Sequence, residues 1–544
     1  MKVNIILSVV ASFAISAMAS TVVLDGHKVT SNQIVEIANG SKVEVDKKSM
    51  DRVVEAHNFL MQAAKTGHKI YGLTVGVGLN KDRKMVDTNG QLSEEVLKAS
   101  KEFNLGLIRA HAGSVGPVMD IKTARAVLAV RLNGILFGGT GVQKEVADLY
   151  REFLNNDIVP VMPTKGSMGE ADITILASVG TAMIGEGEVF YRGERMPSAE
   201  ALKKANLKPL SPVGKDSLSI ISSNAYSAAL AAIALEDMKR ISKVSKYVYA
   251  LSLQAFNGNV NPFLEETIKI HPMPGSVSVS KEVRDILKGS YLWEDDAKRP
   301  LQDPLSFRDA VHIMGTFDTA YADTNKLMNI QFNSSDDNPG ISLDAKKAGS
   351  SYQEKNTYVE GKDSGALLRT SNFEPMPWVI EFEKVSIALA HNSLASAHRT
   401  IKLSDDGFTG LSRFLGTENS VHAFGAMQKP FVALAGENQV LANPASLAYI
   451  PVAGNIEDIA TNAPQVVKKV QTQLDNQFDI LGMELIHAAQ AIDLRMKKNP
   501  NLKLSPETEK FYKEYRKVVK FLDADRPLTD DFKRSADFLR NYAF

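Results

Sequence analysis

The chain has 544 residues, of which 44% are hydrophobic and 23% are charged, an ordinary composition for a globular protein. Lysine plus arginine equals aspartate plus glutamate at 63 each, so the net charge indicates neither nucleic acid nor a membrane surface as a partner. Cysteine is absent, which excludes disulfides, a thiolate nucleophile and cysteine-bound metal.

The first residues are typical of a secretory signal peptide. Lys2 precedes an apolar run over residues 5–14, and a small-x-small cleavage pattern ends at Ala19, directly before Ser20. A buried first helix is the alternative. The pattern predicts removal of residues 1–19 and export of the mature protein, which would be periplasmic in a source with two membranes.

Apolar spacing along the mature chain is mostly helical after an α/β-like beginning. Shorter helices are predicted over residues 51–65, 93–103, 123–137 and 145–154, with a small hairpin edge at 189–193. Long helices are predicted over residues 217–256, 378–403 and 456–496, and the polar residues 346–365 are typical of an inserted loop.

Long helices packed side by side form bundles. We therefore expect a mainly α fold in three parts. These are a mixed α/β domain over residues 20–215, a central helical bundle over 216–500 and a C-terminal helical extension over 501–544. Histidine and carboxylate spacing shows no metal-binding pattern.

One short segment carries the most specific information. Residues 166–172 have the sequence Gly-Ser-Met-Gly-Glu-Ala-Asp. They resemble the prosthetic-group segment of the histidine/aromatic amino acid ammonia-lyase family, in which Pro-x-x-Gly-Ser-x-Gly precedes Ala-Ser-Gly and then Asp. In that family Ala-Ser-Gly cyclises into a methylidene-imidazolone electrophile, which attacks the substrate and turns its amine into a leaving group.

This chain departs from the family pattern at the reagent itself. Gly169 and Asp172 are kept, but Glu170 and Ala171 stand where Ala-Ser-Gly is expected, and the segment is one residue short. Ser222 also occupies the place of an asparagine that helps to organise the electrophile, and Leu305 replaces a tyrosine beside it. The resemblance therefore implies a site frame without its usual cofactor.

The glycine-rich stretch 71–78 resembles the family's mobile lid loop. The resemblance implies that Tyr71 is the base for the β-proton of the substrate, whereas a packed tyrosine in a surface turn is the alternative. Further on, residues 109–116 resemble a family segment that has a histidine or an apolar residue at the position of His111. The resemblance implies that His111 faces the substrate ring. A lone histidine of this kind is as well explained as a structural residue.

Two later segments imply a carboxylate-binding site. Residues 302–308 resemble the family's Gln-Asp-x-Tyr-Ser-x-Arg, which implies that Arg308 holds the substrate carboxylate. Residues 333–339 resemble Asn-Ser-x-x-Asp-Asn-Pro, which implies substrate-binding roles for Asn333 and Asn338. A polar turn before proline is the alternative.

The remaining matches bear on the substrate ring. Phe373 lies in a segment similar to the family's Gly-Asn-Phe, although Glu374 follows it where a histidine is usual. Glu437 stands where histidine-type members have glutamate and phenylalanine- or tyrosine-type members have glutamine. A carboxylate accepts a hydrogen bond from an imidazole-like N–H and gains nothing from a phenyl ring.

The retained residues serve proton abstraction and substrate binding, whereas the lost ones serve the electrophile. A plain amine leaves poorly without that electrophile, but a quaternary ammonium leaves unaided. The resemblance is therefore to the ergothionase branch, and implies that ergothioneine is converted to thiourocanate and trimethylamine by a homotetramer with an ammonia-lyase/fumarase-like fold. A conventional histidine/aromatic amino acid ammonia-lyase and a non-catalytic periplasmic binding protein are the alternatives. All three take a small amino acid or betaine, with no nucleic acid or membrane partner.

Overall fold

The fold comes from a computed structural model, which describes residues 20–65, 68–76, 94–346, 351, 357–359 and 364–544. The predicted signal peptide, the end of the lid loop at Val77 and Gly78, and much of the predicted polar loop 346–365 lie outside these residues. The described residues are mostly helical, which confirms the mainly α prediction.

The first part of the chain mixes helices with short strands. Its helices are α1 (Ser31–Ala38), α2 (Lys47–Lys65), α3 (Glu94–His111), α4 (Ile121–Leu136), α5 (Lys144–Asn155), α6 (Ile173–Met183) and α7 (Ser198–Lys204). Its strands are β1 (Thr21–Leu24), β2 (Lys42–Val45), β3 (Val115–Val118), β4 (Ile158–Pro160), β5 (Pro163–Lys165), β6 (Glu188–Tyr191) and β7 (Glu194–Pro197). β1 and β2 pair in parallel, whereas β3–β5 and β4–β6–β7 are antiparallel. The hairpin predicted near residue 190 is confirmed as β6–β7.

Helices of between four and 36 residues make up most of the rest of the chain. They are α8 (Asp216–Ile221), α9 (Ala225–Phe256), α10 (Glu265–Lys269), α11 (Pro274–Ile286), α12 (Leu305–Arg308), α13 (Ala310–Phe332), α14 (Met376–Leu403), α15 (Asp406–Thr409), α16 (Gln428–Leu441), α17 (Ala463–Lys498), α18 (Pro506–Val518) and α19 (Thr529–Asn541). A small antiparallel sheet has the order β8 (Gly340–Ser342), β10 (Gly365–Leu368), β9 (Tyr358–Val359).

The predicted helical bundle is confirmed, and α17 lies at its centre. This helix packs against α9, α14, α16 and α19, while α13 packs against α9 and α14. One hydrophobic cluster includes Leu128 of α4, Leu253 of α9 and Phe511 of α18. The core therefore extends through all three predicted parts, whose boundaries stay a prediction.

The helical residues Asp216–Phe256 form a long, largely apolar stretch. By length and composition it could cross a membrane, but 94% of its most apolar window is buried in the fold. Its all-round apolar character therefore matches a position between other helices.

Two predicted helices differ from the observed ones at the site. The single helix predicted over 217–256 is broken after Ile221, because Ser222 leaves helical geometry (φ −89°, ψ 77°) and α9 restarts at Ala225. The helix predicted from residue 456 begins only at Ala463, after Asn462 in the left-handed region (φ 50°). Both interruptions expose backbone groups that bind the 166–172 segment.

His487 in α17 gives a prediction about acid stability. Its side chain is fully buried against Phe424 and Phe431, and burial lowers its pKa to about 4. An unfolded histidine has a pKa of about 6.5. The unfolded state therefore binds the proton more readily, and stability is lost as pH falls from about 6.5 towards 4.

Between pH 7.5 and 5 this single group should cost about 2 kcal/mol of unfolding free energy. We expect His487→Phe to reduce the acid sensitivity by that amount, because phenylalanine cannot bind the proton. Denaturant unfolding at the two pH values measures it. Equal acid sensitivity in the parent and the variant would contradict the assignment.

Candidate active site

The degenerate prosthetic-group segment, residues 166–172, is a tightly held loop between β5 and α6. The Oγ of Ser167 donates to Oδ1 of Asp172 (2.6 Å) and accepts from the N–H of Gly169 (3.1 Å). Gly169 has φ +89°, and a Cβ there would lie 2.6 Å from the backbone nitrogen of Ala463. This position therefore requires glycine, both for its backbone angle and for its contact with the start of α17.

Asp172 fixes the end of the segment from inside the core. It is 0% exposed, and its carboxylate also accepts from the backbone N–H of Ser227 (2.8 Å) and the Oγ of Ser227 (2.8 Å). Burial raises the pKa of this carboxyl to about 6, although the hydrogen bonds from Ser167 and Ser227 act in the opposite direction.

The break between α8 and α9 binds the segment directly. The N–H of Asp172 donates to the carbonyl of Ser223 (2.7 Å), and the N–H of Ala171 donates to Oδ1 of Asn224 (3.0 Å). The Nδ2 of Asn224 donates to the carbonyl of Phe373 (2.5 Å). Asn224 thus joins the segment to the Phe373 loop. By resemblance, Ser222, two residues earlier, occupies the place of the family's asparagine, and the contact made by Asn224 was not predicted.

A buried cluster of charged side chains, Arg131, Asp336 and Asp337, holds the turn between α8 and α9. Asp336 accepts from the N–H of Asn224 (2.8 Å) and the Oγ of Ser223 (3.0 Å). Arg131 lies 3.4 Å from Asp336 and 3.1 Å from Asp337, and all three are almost fully buried. Burial raises the pKa of Asp336, while Arg131 acts to lower it. Removing any one of these three side chains would leave a buried charge without a partner, which is strongly destabilising. The cluster therefore helps to keep the turn in position.

Glu170 forms no ion pair with a cation among the described residues. Its side chain is half-buried, and burial raises its pKa to about 7, with further increases from the negative charges of Glu374, Glu457 and Asp458. Burial also raises the pKa of Glu374. The sequence marked Glu170 only as a departure from the family, and the structure adds that it lies among other acids.

Tyr71 and His111 lie in the N-terminal part. Tyr71 begins a turn in which the N–H of Gly72 donates to the carbonyl of Val75 (3.0 Å). A Cβ at Gly72 (φ +75°) would lie 2.4 Å from Cδ2 of Leu218, so the turn rests on α8. His111 ends α3, and its Nδ1 is 2.8 Å from the carbonyl of Leu107.

The predicted carboxylate-binding residues lie elsewhere on the chain. Arg308 ends α12, and its Nη1 donates to Oε1 of Gln302 (2.6 Å). Both line an open cavity of about 460 Å³. The Oδ1 of Asn338 accepts from the N–H of Thr370 (3.1 Å). The amide of Asn333 is engaged with backbone partners, among them Val29 (2.8 and 2.9 Å). Substrate-binding roles for these residues stay predictions.

Glu437 lies on the outward face of α16. Its Oε2 accepts from Nδ2 of Asn476 (3.0 Å), and its side chain is exposed. Among the described residues, no hydrogen bond or ion pair joins Arg308 or Glu437 to the 166–172 segment. Within one chain, Arg308 and Glu437 therefore make their hydrogen bonds outside the 166–172 segment.

Comparison with known proteins identifies the fold and the family. The model of the family described as aromatic amino acid lyase matches residues 29–517. Histidine ammonia-lyase of Geobacillus thermodenitrificans is 30% identical over 536 residues, covering 96% of this chain and 98% of the relative. The corresponding enzyme of Geobacillus kaustophilus is 31% identical over 489 residues, covering 89% and 90%.

Two solved structures extend the comparison. Ergothionase from Treponema denticola, an ergothioneine-degrading enzyme solved with desmethyl-ergothioneine sulfonic acid, is 35% identical, with a TM-score of 0.83 over 96% of this chain and 99% of that one. Tyrosine aminomutase from Streptomyces globisporus is 25% identical, with a TM-score of 0.83 over 95% and 96%. The chain therefore belongs to the aromatic amino acid lyase family and is a carbon–nitrogen lyase.

Proposed function

We propose that this protein eliminates trimethylamine from ergothioneine to give thiourocanate, without a methylidene-imidazolone group. The observation that carries the proposal is Glu170-Ala171 in place of Ala-Ser-Gly, within a segment whose frame is otherwise intact. The 35% identity to an ergothioneine-degrading enzyme supports the same substrate.

The residues present do not fit the family's electrophile. Its formation needs a serine that loses its hydroxyl and a glycine that closes the ring, and residues 169–172 contain neither in the required places. The remaining serine, Ser167, is hydrogen-bonded to Asp172 at 2.6 Å. Its hydroxyl therefore serves to hold the segment.

This loss restricts the substrate to one with a good leaving group. A quaternary ammonium already carries the charge that the electrophile would otherwise supply, so its carbon–nitrogen bond can break without further activation. The β-proton passes to a base, the carbon–hydrogen electrons form the double bond, and the carbon–nitrogen electrons leave with trimethylamine. No oxidant or reductant is required.

The retained residues have two roles, proton abstraction and substrate binding, and they are Tyr71, Arg308, Asn338 and Glu437. Tyr71, as the phenolate, takes the β-proton, and Arg308 holds the substrate carboxylate with help from Asn338. Glu437 accepts from the ring N–H, which favours an imidazole-type ring over a phenyl ring. His111 and Phe373 complete the pocket around that ring.

A homotetramer is part of the proposal, because no described contact of Arg308 or Glu437 reaches the 166–172 segment within one chain. The outward face of α14 carries Ile380, Ile387 and Leu394 at seven-residue spacing, and these side chains are 49%, 48% and 36% exposed. Such a stripe is typical of a helix that packs against another subunit. Light scattering at micromolar concentration should give four times the mass of the mature chain, and a monomer would contradict the composite site.

The proposal also includes export. Cleavage after Ala19 would leave Ser20 as the first residue, one residue before β1. N-terminal sequencing of protein from the native cell envelope tests this.

Intact mass tests the cofactor prediction. We expect the mass of the purified protein to equal that of its mature sequence, because residues 169–172 cannot cyclise. Peptide mapping provides the control, since any modification must be located. A loss of two waters within residues 166–172 would contradict the prediction.

Incubation with ergothioneine tests the proposed reaction. Release of trimethylamine with thiourocanate is the expected result. The second candidate, conventional histidine ammonia-lyase activity, is favoured by the 30% identity to such an enzyme over 96% of the chain, and it would release ammonia from histidine. Ligand binding without either product would overturn both candidates and indicate a binding protein.

A further inference from the structure

Glu170 occupies the place where the family's electrophile meets the substrate amine. Its backbone is fixed on both sides: the carbonyl of Met168 accepts from the N–H of Asn462 (2.7 Å), and the N–H of Ala171 donates to Asn224 (3.0 Å). The backbone on either side of Glu170 is therefore fixed in place.

The surroundings of Glu170 are acidic. Glu374 comes from the loop after β10, whereas Glu457 and Asp458 come from the loop before α17, and all three act electrostatically on Glu170. Tyr449 lies at the same place, since its hydroxyl donates to the carbonyl of Glu457 and Glu170 acts on its phenol. Like charges brought together in this way destabilise one another unless a cation joins them.

The acidic loop is firmly attached. Glu383 accepts from the N–H groups of Ala445 (2.8 Å) and Ser446 (3.0 Å), and it forms a buried ion pair with Lys469 of α17. Asn462 donates to the carbonyl of Ala445 (3.0 Å). The buried ion pair therefore anchors the first part of the loop that carries Glu457 and Asp458.

A second group at this place has no internal partner. The side chain of Thr461 is buried, with the residue 1% exposed, and its Oγ1 has no hydrogen bond among the described residues. That oxygen lies 2.8 Å from the position a Cβ on Gly169 would occupy, so it faces the segment directly before Glu170. This hydroxyl is therefore a buried polar group that the packing of the described residues leaves unsatisfied.

We propose that Glu170 is the recognition residue for the quaternary ammonium group of the substrate, with Glu374 and Glu457 completing the negative charge around it. The proposal rests on the proposed function. A trimethylammonium group has no N–H to donate, so negative charge and an aromatic neighbour such as Tyr449 are the features that recognise it. Glu170, which stands in place of the electrophile, thus selects quaternary ammonium substrates, whose nitrogen leaves without an electrophile.

Tetramethylammonium chloride provides the probe, with sodium chloride at equal ionic strength as the control for screening. The mature protein should bind tetramethylammonium, and Glu170→Gln should weaken binding about tenfold at pH 8. Glu170→Asp keeps the charge and should restore most of the affinity. Glu266→Gln, at a side chain that is 82% exposed on α10, is the matched control and should bind like the parent.

Binding should also be linked to a proton. Because the free carboxyl of Glu170 has a pKa of about 7, a bound cation lowers that pKa and releases the proton. Affinity should therefore fall about tenfold from pH 8 to pH 6 in the parent and stay flat in Glu170→Gln. Glu374, Glu457, Asp458 and Tyr449 face the same place, so a pH dependence that persists in Glu170→Gln would assign the cation to them and overturn the proposal.

Kinetics with ergothioneine separates recognition from a structural role. Glu170→Gln should raise KM about tenfold with a smaller change in kcat, because the charge it recognises is lost as the bond breaks. An unchanged KM with trimethylamine still released would remove Glu170 from recognition and leave the reaction standing. Tetramethylammonium binding that depends on Glu170, without trimethylamine release, would remove the proposed reaction and leave the cation site standing.

Discussion

Tyr71→Phe is expected to lower the turnover of ergothioneine by at least ~100-fold, the usual effect of losing a general base. The substitution removes one oxygen and keeps the ring that packs against the main hydrophobic cluster. The turn made by Gly72 and Val75 does not depend on the phenol for its backbone hydrogen bond. Trimethylamine release under saturating substrate measures the effect.

Two controls make the Tyr71 result interpretable. The variant should remain a tetramer by light scattering, and its affinity for tetramethylammonium should match the parent, since that probe has no proton to lose. Turnover at the parent rate would place the base elsewhere. Glu437 would then be the next residue to replace.

Arg308→Met is expected to lower kcat/KM by tenfold or more, because a charge-assisted pair with a carboxylate is worth roughly 1.5–3 kcal/mol. Carboxylate pairing acts in the ground and transition states alike, so KM should rise with a smaller change in kcat. Gln302, which Arg308 contacts at 2.6 Å, offers the matched control: Gln302→Asn alters that contact while the charge stays. Parent-like catalytic efficiency in Arg308→Met would remove Arg308 from the site.

The two variants can also be combined in one tetramer. If Tyr71 and Arg308 reach one site from different subunits, refolding equal amounts of Tyr71→Phe and Arg308→Met chains should restore activity to about a quarter of the sites. Each variant refolded alone is the control. Mixed tetramers as inactive as the separate variants would show that one subunit supplies both residues.

The sequence predicted the bundle well and the interruptions poorly. Apolar periodicity marks a buried helix, and small or apolar residues continue on both sides of Ser222, so the break there was not predicted. The break depends on Asp336, more than a hundred residues away, which accepts the N–H of Asn224. Contacts of this range have no local signature.

The site was likewise predicted only in part. The motif order predicted Tyr71, Arg308 and Glu437 as site residues because each sits in a recognisable segment, and their roles stay predictions. Asn224 was missed because it lies two residues beyond the expected asparagine position, and only the hydrogen bond to Ala171 reveals its use. The acidic surroundings of Glu170 could not be predicted either, since Glu374 and Glu457 come from separate loops.

The anchoring of the 166–172 segment has a consequence for protein engineering. Asp172, Asn224 and the Arg131 cluster hold the loop ends through contacts that do not involve the side chain of Glu170. Residues 170 and 171 can therefore be exchanged without removing the contacts that hold the two ends of the loop. Exchanging Glu170-Ala171 for Ala-Ser-Gly asks whether one scaffold can be converted between two leaving-group chemistries by two substitutions and one insertion.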